Sequence, residues 1–278
     1  MMAGLSATLR RLRHGPLARW APFWVILGRI YRALQTLLPF QMAAIMKIGP
    51  YGPFRLDGRF RFSNFENWGS GRNAGFVACI EACEGAKCFL DVGAHIGLVA
   101  LPASRAIAPS GQVVAFEPAH ANRTLLERHV RLNGADNITV VGDLVGSCSD
   151  SAVPFFEQPF DSGLNSVAQV RGDKKFIRST KKQTTLDEYC AAHSLAPEVI
   201  KIDVEGAEIG VLRGARETIE ACQPIVVLSV HPAQIEQLGG TLDTLVDLVA
   251  ALGYTAATPE GTPSEPREPS EYILRPQA

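Results

Sequence analysis

The chain has 278 residues, of which 46% are hydrophobic and 20% are charged, and its formal net charge at pH 7 is −1. This length suits one large domain with a full core, and the composition is that of an ordinary soluble globular protein. The near-zero net charge excludes a general attraction to polyanions, so no nucleic-acid partner is expected.

The first fifty residues differ from the rest in charge. The apolar run at residues 20–28 is well short of the roughly 20 apolar residues that a membrane-spanning helix needs. We therefore divide the chain into a basic amphipathic helical extension, residues 1–50, and an α/β domain, residues 51–278. The extension is expected to pack on the domain or, alternatively, to rest on a membrane surface. Its charged residues are all basic: Arg10, Arg11, Arg13, Arg19, Arg29, Arg32 and Lys47.

The six cysteines are scattered along the chain and lack paired C-x-x-C spacing. This pattern predicts neither a zinc site nor a disulfide framework. It favours a reducing, cytoplasmic setting. The basic extension adds the alternative of peripheral contact with the inner face of the membrane.

From residue 87 onward, short apolar runs alternate with helical patterns. Such alternation predicts a parallel sheet with helices on both faces. The last two strands are joined by a short Pro-rich loop, so they must pair antiparallel. The expected fold is Rossmann-like α/β, with a mostly parallel sheet and an antiparallel last strand. Strands are predicted at 87–92, 112–116, 137–141, 198–202, 225–230, 254–258 and 271–274, and helices at 119–132, 206–222 and 233–252.

A long insertion, residues 146–185, separates the third and fourth strands and is predicted as a loop. It contains Phe155, Phe156 and Phe160, which are followed by six basic residues at 171–182. Loops of this length are usually functional or disordered, so this one is expected to border the active site. Its basic residues are expected to be solvated, with contact to an acidic substrate as the alternative.

The first informative motif is FLDVGAHIGL, residues 89–98. A strand that ends in Asp91 and turns through Gly93 lets the backbone approach a ligand closely, because glycine has no Cβ and tolerates positive φ. The helix that follows offers free N–H groups and a positive dipole end to a carboxylate. Asp91 stands where the nicotinamide pattern G-x-G-x-x-G has its first glycine, which argues against NAD.

The second motif is VVAFEP, in which Glu117 follows a strand twenty residues after Gly97. A carboxylate there can accept hydrogen bonds from both ribose hydroxyls of an adenosine. Together the two motifs predict a site for S-adenosylmethionine (SAM), with the ammonium of its methionine end facing Asp91. Pro118 belongs to the same site. Asp143, after the third strand, either hydrogen-bonds the adenine or faces solvent.

The third motif is VIKIDVEGAE, residues 199–208. Ligands of open α/β sheets bind at the carboxyl ends of the strands, so Asp203 and Glu205 are predicted to lie beside the methyl donor. His231, after the next strand, is predicted to converge with them as a catalytic base, and a structural hydrogen bond of a loop histidine before Pro232 is the alternative. For Glu208 a stabilising role at the helix start and a functional role are both open. Two carboxylates and an imidazole would also suit Mg²⁺, although no metal is predicted.

The blocks FLDVGAHIGL, VVAFEP, TTLDEY and VIKIDVEGAE…VLRGA resemble the FkbM family of SAM-dependent methyltransferases. They span about residues 88–230, so the first fifty residues lie outside the resemblance. Members generally methylate hydroxyls of sugars, glycolipids, polysaccharides and natural products. The resemblance therefore implies a methyltransferase domain at 51–278 that uses SAM for O-methylation of a small-molecule or glycan acceptor. It implies SAM contacts from Asp91, Gly93, Ala94, Gly97 and Glu117.

Two positions depart from the family pattern. His95 stands where relatives often have Asn, and it is expected to cap the helix or contact the cofactor. His231 lies in a segment where many relatives have an acidic residue. N-methylation of protein or nucleic acid is a weaker alternative, because the Asn/Asp-Pro-Pro-aromatic run of such enzymes is absent after the fourth strand. A catalytically silent SAM-binding protein is the remaining alternative.

Overall fold

The computed structural model describes residues 43–69, 73–157 and 177–277. Its strands are β1 (Ala44–Ile48), β2 (Tyr51–Leu56), β3 (Cys88–Val92), β4 (Gln112–Phe116), β5 (Ile138–Val141), β6 (Leu144–Val145), β7 (Asp150–Glu157), β8 (Ile177–Thr184), β9 (Val199–Ile202), β10 (Ile225–Ser229), β11 (Tyr254–Ala257) and β12 (Glu271–Pro276). Its α-helices are α1 (Gly75–Ala82), α2 (Ala100–Ala106), α3 (His120–Asn133), α4 (Leu186–His193), α5 (Glu208–Arg213), α6 (Arg216–Cys222), α7 (Pro232–Gln237) and α8 (Leu242–Ala251).

The central sheet has seven strands in the order β11-β12-β10-β9-β3-β4-β5. The five strands from β10 to β5 run parallel, and β12 lies antiparallel between β10 and β11. This arrangement confirms the predicted Rossmann-like α/β fold with its antiparallel last strand. The inner parallel strands β3, β9 and β10 are almost wholly buried because helices cover both of their faces.

The core has two parts, one on each face of the sheet. Successive side chains of a strand point to opposite faces, so Phe89 packs with α1, α2 and α3 whereas Leu90 packs with the helices from α4 to α8. Both side chains are fully buried. Residues 198–276 therefore supply most of one layer, and residues 75–135 most of the other.

Each of the two long helices predicted after β9 and β10 is divided in the structure. α5 and α6 are separated at Gly214, where an added Cβ would lie 2.0 Å from the carbonyl oxygen of Gly146. α7 ends before Gly239, which has a φ of +79° that favours glycine. Both breaks depend on backbone conformation and close contacts, which the spacing of apolar residues in the sequence does not indicate.

The insertion between β5 and β9 contains a second, three-stranded sheet of order β6-β8-β7. The prediction of one long loop was therefore wrong for residues 150–157 and 177–184, which pair antiparallel as β7 and β8. Residues 158–176, with part of the basic stretch, lie outside the described residues. The insertion does border the main cavity, through Gly146, Phe155 and Gln183.

The described part of the chain begins with an antiparallel hairpin of β1 and β2. The buried side chains of both strands join the layer that contains α3. The boundary proposed between residues 50 and 51 falls in the turn of this hairpin. Residues 1–42, on which the helical extension and its membrane contact depend, lie outside the described residues. Within the described ranges, no helix is long and apolar enough to cross a membrane.

A buried histidine joins the hairpin to the sheet layer. His129 on α3 is 0% exposed, its Nε2 accepts from the amide of Asp57 at 2.9 Å, and its Nδ1 lies 2.8 Å from the carbonyl oxygen of Ile96. Burial lowers the pKa of His129 to about 4. The neutral ring with a proton on Nδ1 satisfies both hydrogen bonds, whereas a second proton would break the bond to Asp57.

We expect this histidine to make stability depend on pH. The folded-state pKa lies below the ordinary value of about 6.5, so the unfolded chain binds the extra proton first as the pH falls. The contribution of His129 to the free energy of unfolding should therefore fall by about 2 kcal/mol between pH 7 and pH 5. Urea denaturation of the wild type and of His129→Gln at both pH values measures it. An equal pH dependence in the two proteins would contradict this assignment.

Candidate active site

A cavity of about 1060 Å³ opens at the carboxyl ends of the parallel strands. Its wall is formed by the segments that follow β3, β4, β9 and β10, together with the small sheet and the segment before β12. Adjacent strand ends of a parallel sheet open into one crevice, which is the usual ligand position in such folds. Most of the predicted site residues lie on this wall: Gly93, Ala94, His95, Glu117, Pro118, Asp143, Asp203, Glu205 and His231.

The turn after β3 is fixed by contacts within the protein. The amides of Gly93 and Ala94 both donate to the carbonyl oxygen of Phe116, and the amide of His95 donates to Glu117. Helix α2 begins only at Ala100. These three amides are therefore not free for a ligand carboxylate. The sequence pattern predicted that a helix with free N-terminal amides follows the turn directly.

Gly93 is required by the protein backbone. It has a φ of +86°, and an added Cβ would lie 1.9 Å from the carbonyl oxygen of Asp203. The sequence interpretation placed the ligand in this space, but the segment after β9 occupies it. Gly97 lies outside the cavity wall, and an added Cβ there would meet the side chain of Leu126 at 2.7 Å. Both glycines therefore serve close packing around the site.

Glu117 is the buried carboxylate of the cofactor side. Its Oε2 accepts from the amide of His95 at 2.8 Å, and its Oε1 accepts from the amide of Ala119 at 2.9 Å. Burial raises the pKa of Glu117 to about 7, although these amide hydrogen bonds oppose the shift. The side chain of Asn122 also hydrogen-bonds this carboxylate. An ionised carboxylate has about four acceptor positions, so these three bonds leave capacity for a ligand.

Asp91 lies behind the cavity wall. It is 0% exposed, and its Oδ1 is 3.3 Å from Nζ of Lys201 on the neighbouring strand. The same Nζ lies 3.4 Å from Oδ2 of Asp203. Burial raises the pKa of Asp91, and the charge of Lys201 opposes the shift. The structure thus places Asp91 as a buried partner of Lys201 that does not line the cavity, and a contact with the cofactor ammonium, directly or through water, stays a prediction.

The predicted catalytic side chains form one group at the ends of β9 and β10. Nε2 of His231 lies 3.6 Å from Oδ1 of Asp203 and 3.7 Å from Oε1 of Glu205. We call Asp203, Glu205 and His231 the acidic–histidine cluster. Residues 203 and 231 follow strands that pair in parallel register, which is why their side chains meet.

Glu208 orients the imidazole of this cluster. It is 0% exposed, and its Oε1 accepts from Nδ1 of His231 at 2.6 Å and from the amide of Gly206 at 3.0 Å. Burial lowers the pKa of His231, but the hydrogen bond to Glu208 and the nearby carboxylates of Asp203 and Glu205 more than offset this, so the pKa rises to about 9. The bond to Glu208 leaves Nε2 directed towards the two carboxylates.

The backbone of Glu205 is also constrained. Glu205 has a φ of +51°, which is uncommon for a residue other than glycine, and Gly206 follows with a φ of +105°. An added Cβ at Gly206 would lie 2.6 Å from Cβ of Gln234, whose Nε2 donates to Oε2 of Glu205 at 3.1 Å. Packing against α7 therefore holds the Glu205 carboxylate at the cavity, and burial raises its pKa.

Asp143 lies on the cavity wall near the small sheet. Its Oδ2 forms an ion pair with Nζ of Lys182 at 3.0 Å. Both residues of the pair are partly open to solvent, so this interaction contributes little to stability. The carboxylate remains adjacent to the end of β5, and both interpretations of Asp143, adenine contact and solvent exposure, stay predictions.

Three charged residues of the site were missed or left undecided by sequence reasoning. Lys201 is buried within the strand Val199–Ile202. A lysine in an otherwise apolar strand was the feature of the sequence that could have identified it. Glu208 was left open between two roles. Glu271 lies on the cavity wall, accepts from the amide of Gly75 at 2.7 Å, and has its pKa raised by burial to about 7. Nothing in the local sequence distinguishes Glu271 from a surface acid.

Comparison with known proteins identifies the family. Residues 91–256, more than half of the chain, match the model of the methyltransferase FkbM domain. The chain belongs to the FkbM methyltransferase family. The matched region contains the turn after β3, Glu117 and the acidic–histidine cluster. Membership implies SAM as the methyl donor. No curated protein sequence matches the chain.

Solved structures of methyltransferases resemble the fold. The FkbM methyltransferase of Methylobacillus flagellatus KT is 22% identical over 69% of this chain and 44% of that chain, with a TM-score of 0.44. The present chain therefore spans less than half the length of that FkbM protein. The O-methyltransferase from Bacillus cereus in complex with SAH is 11% identical over 74% of this chain and 80% of that chain, with a TM-score of 0.42.

Proposed function

We propose that this FkbM-family protein transfers the methyl group of SAM to a hydroxyl group of a sugar, glycolipid, polysaccharide or natural-product acceptor. The observation that carries the proposal is the acidic–histidine cluster, which faces the same cavity as Glu117. An alcohol is a poor nucleophile until its proton is removed, and this cluster brings together groups suited to that task. Hydroxyl methylation therefore fits the site better than a purely structural α/β domain.

The described residues of the cavity fit SAM. The cavity volume of about 1060 Å³ exceeds the roughly 300 Å³ at which ligand pockets begin. Glu117 would accept the ribose hydroxyls through its remaining lone pairs, with the Gly93–Ala94 turn beside them. When bound, SAM supplies an electrophilic methyl group on a sulfonium. The surplus of carboxylates at the strand ends favours a cation there.

The chain's own residues would position and activate the acceptor. Glu208 fixes the ring of His231, and Lys201 holds the carboxylate of Asp203 from the opposite side. A hydroxyl placed among these groups is oriented by Asp203 and Glu205 and can pass its proton to Nε2 of His231 when that nitrogen is unprotonated. Such positioning is what an in-line methyl transfer needs.

The direct test of this function is a transfer assay on the full chain. The protein is incubated with methyl-labelled SAM and a panel of hydroxylated sugars, glycolipids and natural products, and the products are examined by NMR. The expected result is a new O-methyl signal. Transfer only to nitrogen of protein or nucleic acid would replace this proposal, and tight SAM binding with no transfer to any acceptor would favour a silent binding protein.

We expect the charge of Glu117 to contribute to SAM affinity. Loss of one charge-assisted hydrogen bond costs about 1.5–3 kcal/mol, so Glu117→Gln should weaken SAM binding by about 10- to 150-fold in calorimetric titrations. Because the carboxyl has a pKa of about 7, it is mostly neutral at pH 6 and charged at pH 8. Wild-type affinity should therefore rise across this interval.

A pH dependence of SAM affinity could also come from Glu271, which lies on the same wall and has a pKa of about 7. The Glu117→Gln variant distinguishes the two residues. Glu117→Gln should lose most of the pH dependence if Glu117 causes it. Glu157→Gln is the matched control, since Glu157 also accepts a backbone amide but lies outside the cavity wall. Wild-type affinity in Glu117→Gln would show that the adenosine end binds elsewhere.

A further inference from the structure

The acidic–histidine cluster has the spacing of a metal site. Ligand atoms from Asp203, Glu205 and His231 all lie within 4.8 Å of one another, and all three side chains are partly buried on the cavity wall. No other group of three such residues in the described ranges meets this spacing. Two carboxylate oxygens and one imidazole nitrogen are donors that Mg²⁺ and Mn²⁺ accept.

The distances are longer than hydrogen bonds and match those between ligands of one ion. Nε2 of His231 lies 3.6 Å from the Asp203 oxygen and 3.7 Å from the Glu205 oxygen. Two ligands at about 2.1 Å from an octahedral cation are separated by about 3.0 Å when adjacent and about 4.2 Å when opposite. Both measured separations lie between these limits, and the ligand atoms of Asp203 and Glu205 lie within 4.8 Å of each other. One ion can therefore contact all three atoms once the side chains move closer together.

Buried Glu208 is an independent observation that points to a cation. Its Oε1 holds Nδ1 of His231, which is the carboxylate–histidine arrangement that supports metal-binding imidazoles. Its Oε2 is buried and has no hydrogen-bond partner among the described residues. Lys201 supplies one positive charge near Asp203 but is shared with Asp91. Three carboxylates, those of Asp203, Glu205 and Glu208, thus surround one imidazole.

We infer that Asp203, Glu205 and His231 bind one oxygen-preferring divalent cation, Mg²⁺ or Mn²⁺, on the cavity wall. Glu208 is the positioning residue for His231 in this site. The role of the ion rests on the proposed function: it would hold the acceptor hydroxyl and lower its pKa, so that the hydroxyl proton leaves to solvent water and His231 does not take it up. The binding of the ion does not depend on that function and is measured without acceptor or SAM.

The experiment titrates Mn²⁺ alone into the full chain and follows the loss of the free-ion signal by electron paramagnetic resonance. The expected result is one Mn²⁺ per chain, displaced competitively by Mg²⁺. His231→Ala and Asp203→Asn should each weaken binding at least about 10-fold, and Glu208→Gln by about 10- to 100-fold through loss of orientation. Glu84→Gln, an exposed acid outside the cavity wall, should bind Mn²⁺ as the wild type does.

Folding of each variant is checked by its SAM affinity, which should be retained. No Mn²⁺ binding by the wild type at millimolar concentrations, or equal binding by all variants, would overturn the metal site. Methyl transfer that survives removal of metal by a chelator would overturn the role of the ion in transfer while leaving the proposed function in place. Mn²⁺ binding lost in the cluster variants, together with failure to methylate any hydroxyl, would support the site and contradict the proposed function.

Discussion

Replacing His231 with alanine is expected to lower the rate of methyl transfer by about 10²–10⁴-fold while SAM affinity stays nearly unchanged. The change removes Nε2, which is the cluster atom directed at both Asp203 and Glu205. It disables the site whether the imidazole accepts the proton or holds a cation. Glu117 and the turn after β3 are not altered, so the cofactor side should remain intact.

Asp203→Asn is the companion variant, because it keeps the shape of the side chain and removes its charge. It should lower turnover within the same range, since Asp203 lies between Lys201 and His231. Single-turnover rates with saturating labelled SAM measure both variants, and calorimetry measures SAM binding. His193→Ala, an exposed histidine of α4 outside the cavity wall, is the control and should retain full turnover. Full turnover in both cluster variants on a verified acceptor would refute this site.

Gly93→Ala is expected to lower the free energy of unfolding by at least about 3 kcal/mol. The new Cβ would lie 1.9 Å from the carbonyl oxygen of Asp203, so the segments after β3 and β9 must separate. For a chain of this size the melting temperature should fall by roughly 6–12 °C. Because the same segments carry Ala94 and Asp203, SAM binding and turnover should fall together with stability.

Gly85→Ala separates the steric contact from the effect of backbone conformation. Gly85 has a φ of +74°, close to the +86° of Gly93, but an added Cβ there meets nothing within 4 Å. Its replacement should cost only about 1–2 kcal/mol, the strain of a left-handed residue. Thermal and urea unfolding of both variants give the comparison. Equal destabilisation by the two substitutions would mean that the contact with Asp203 is unimportant.

The cofactor and catalytic sides of the cavity have different supports. Glu117 is held by backbone amides, those of His95 and Ala119. The acidic–histidine cluster is held by side chains, those of Glu208 and Lys201. Substitutions at Glu117 and at His231 should therefore separate binding from transfer, which makes SAM affinity a usable folding control for the cluster variants.

Local sequence pattern was sufficient for the main sheet. Apolar runs such as 112–116 alternate with helices. A strand of a parallel sheet is buried on both faces, so nearly all of its residues are apolar. The position of Glu117 after β4 and of Asp203 after β9 follows from the same strand ends. The antiparallel last strand could be predicted because a short loop permits no other pairing. These features depend on residues that are close in the chain.

Only the tertiary structure decided which charges meet. Asp91 pairs with Lys201 across 110 residues, and Glu208 holds His231 across 23. The same long-range packing places the backbone of Asp203 where a ligand was expected beside Gly93. The sequence by itself determined the strand ends at which the site forms. Folding brings distant segments together, and this decides which acid is buried, which is paired and which faces the cavity. Local composition does not indicate which distant segments will meet.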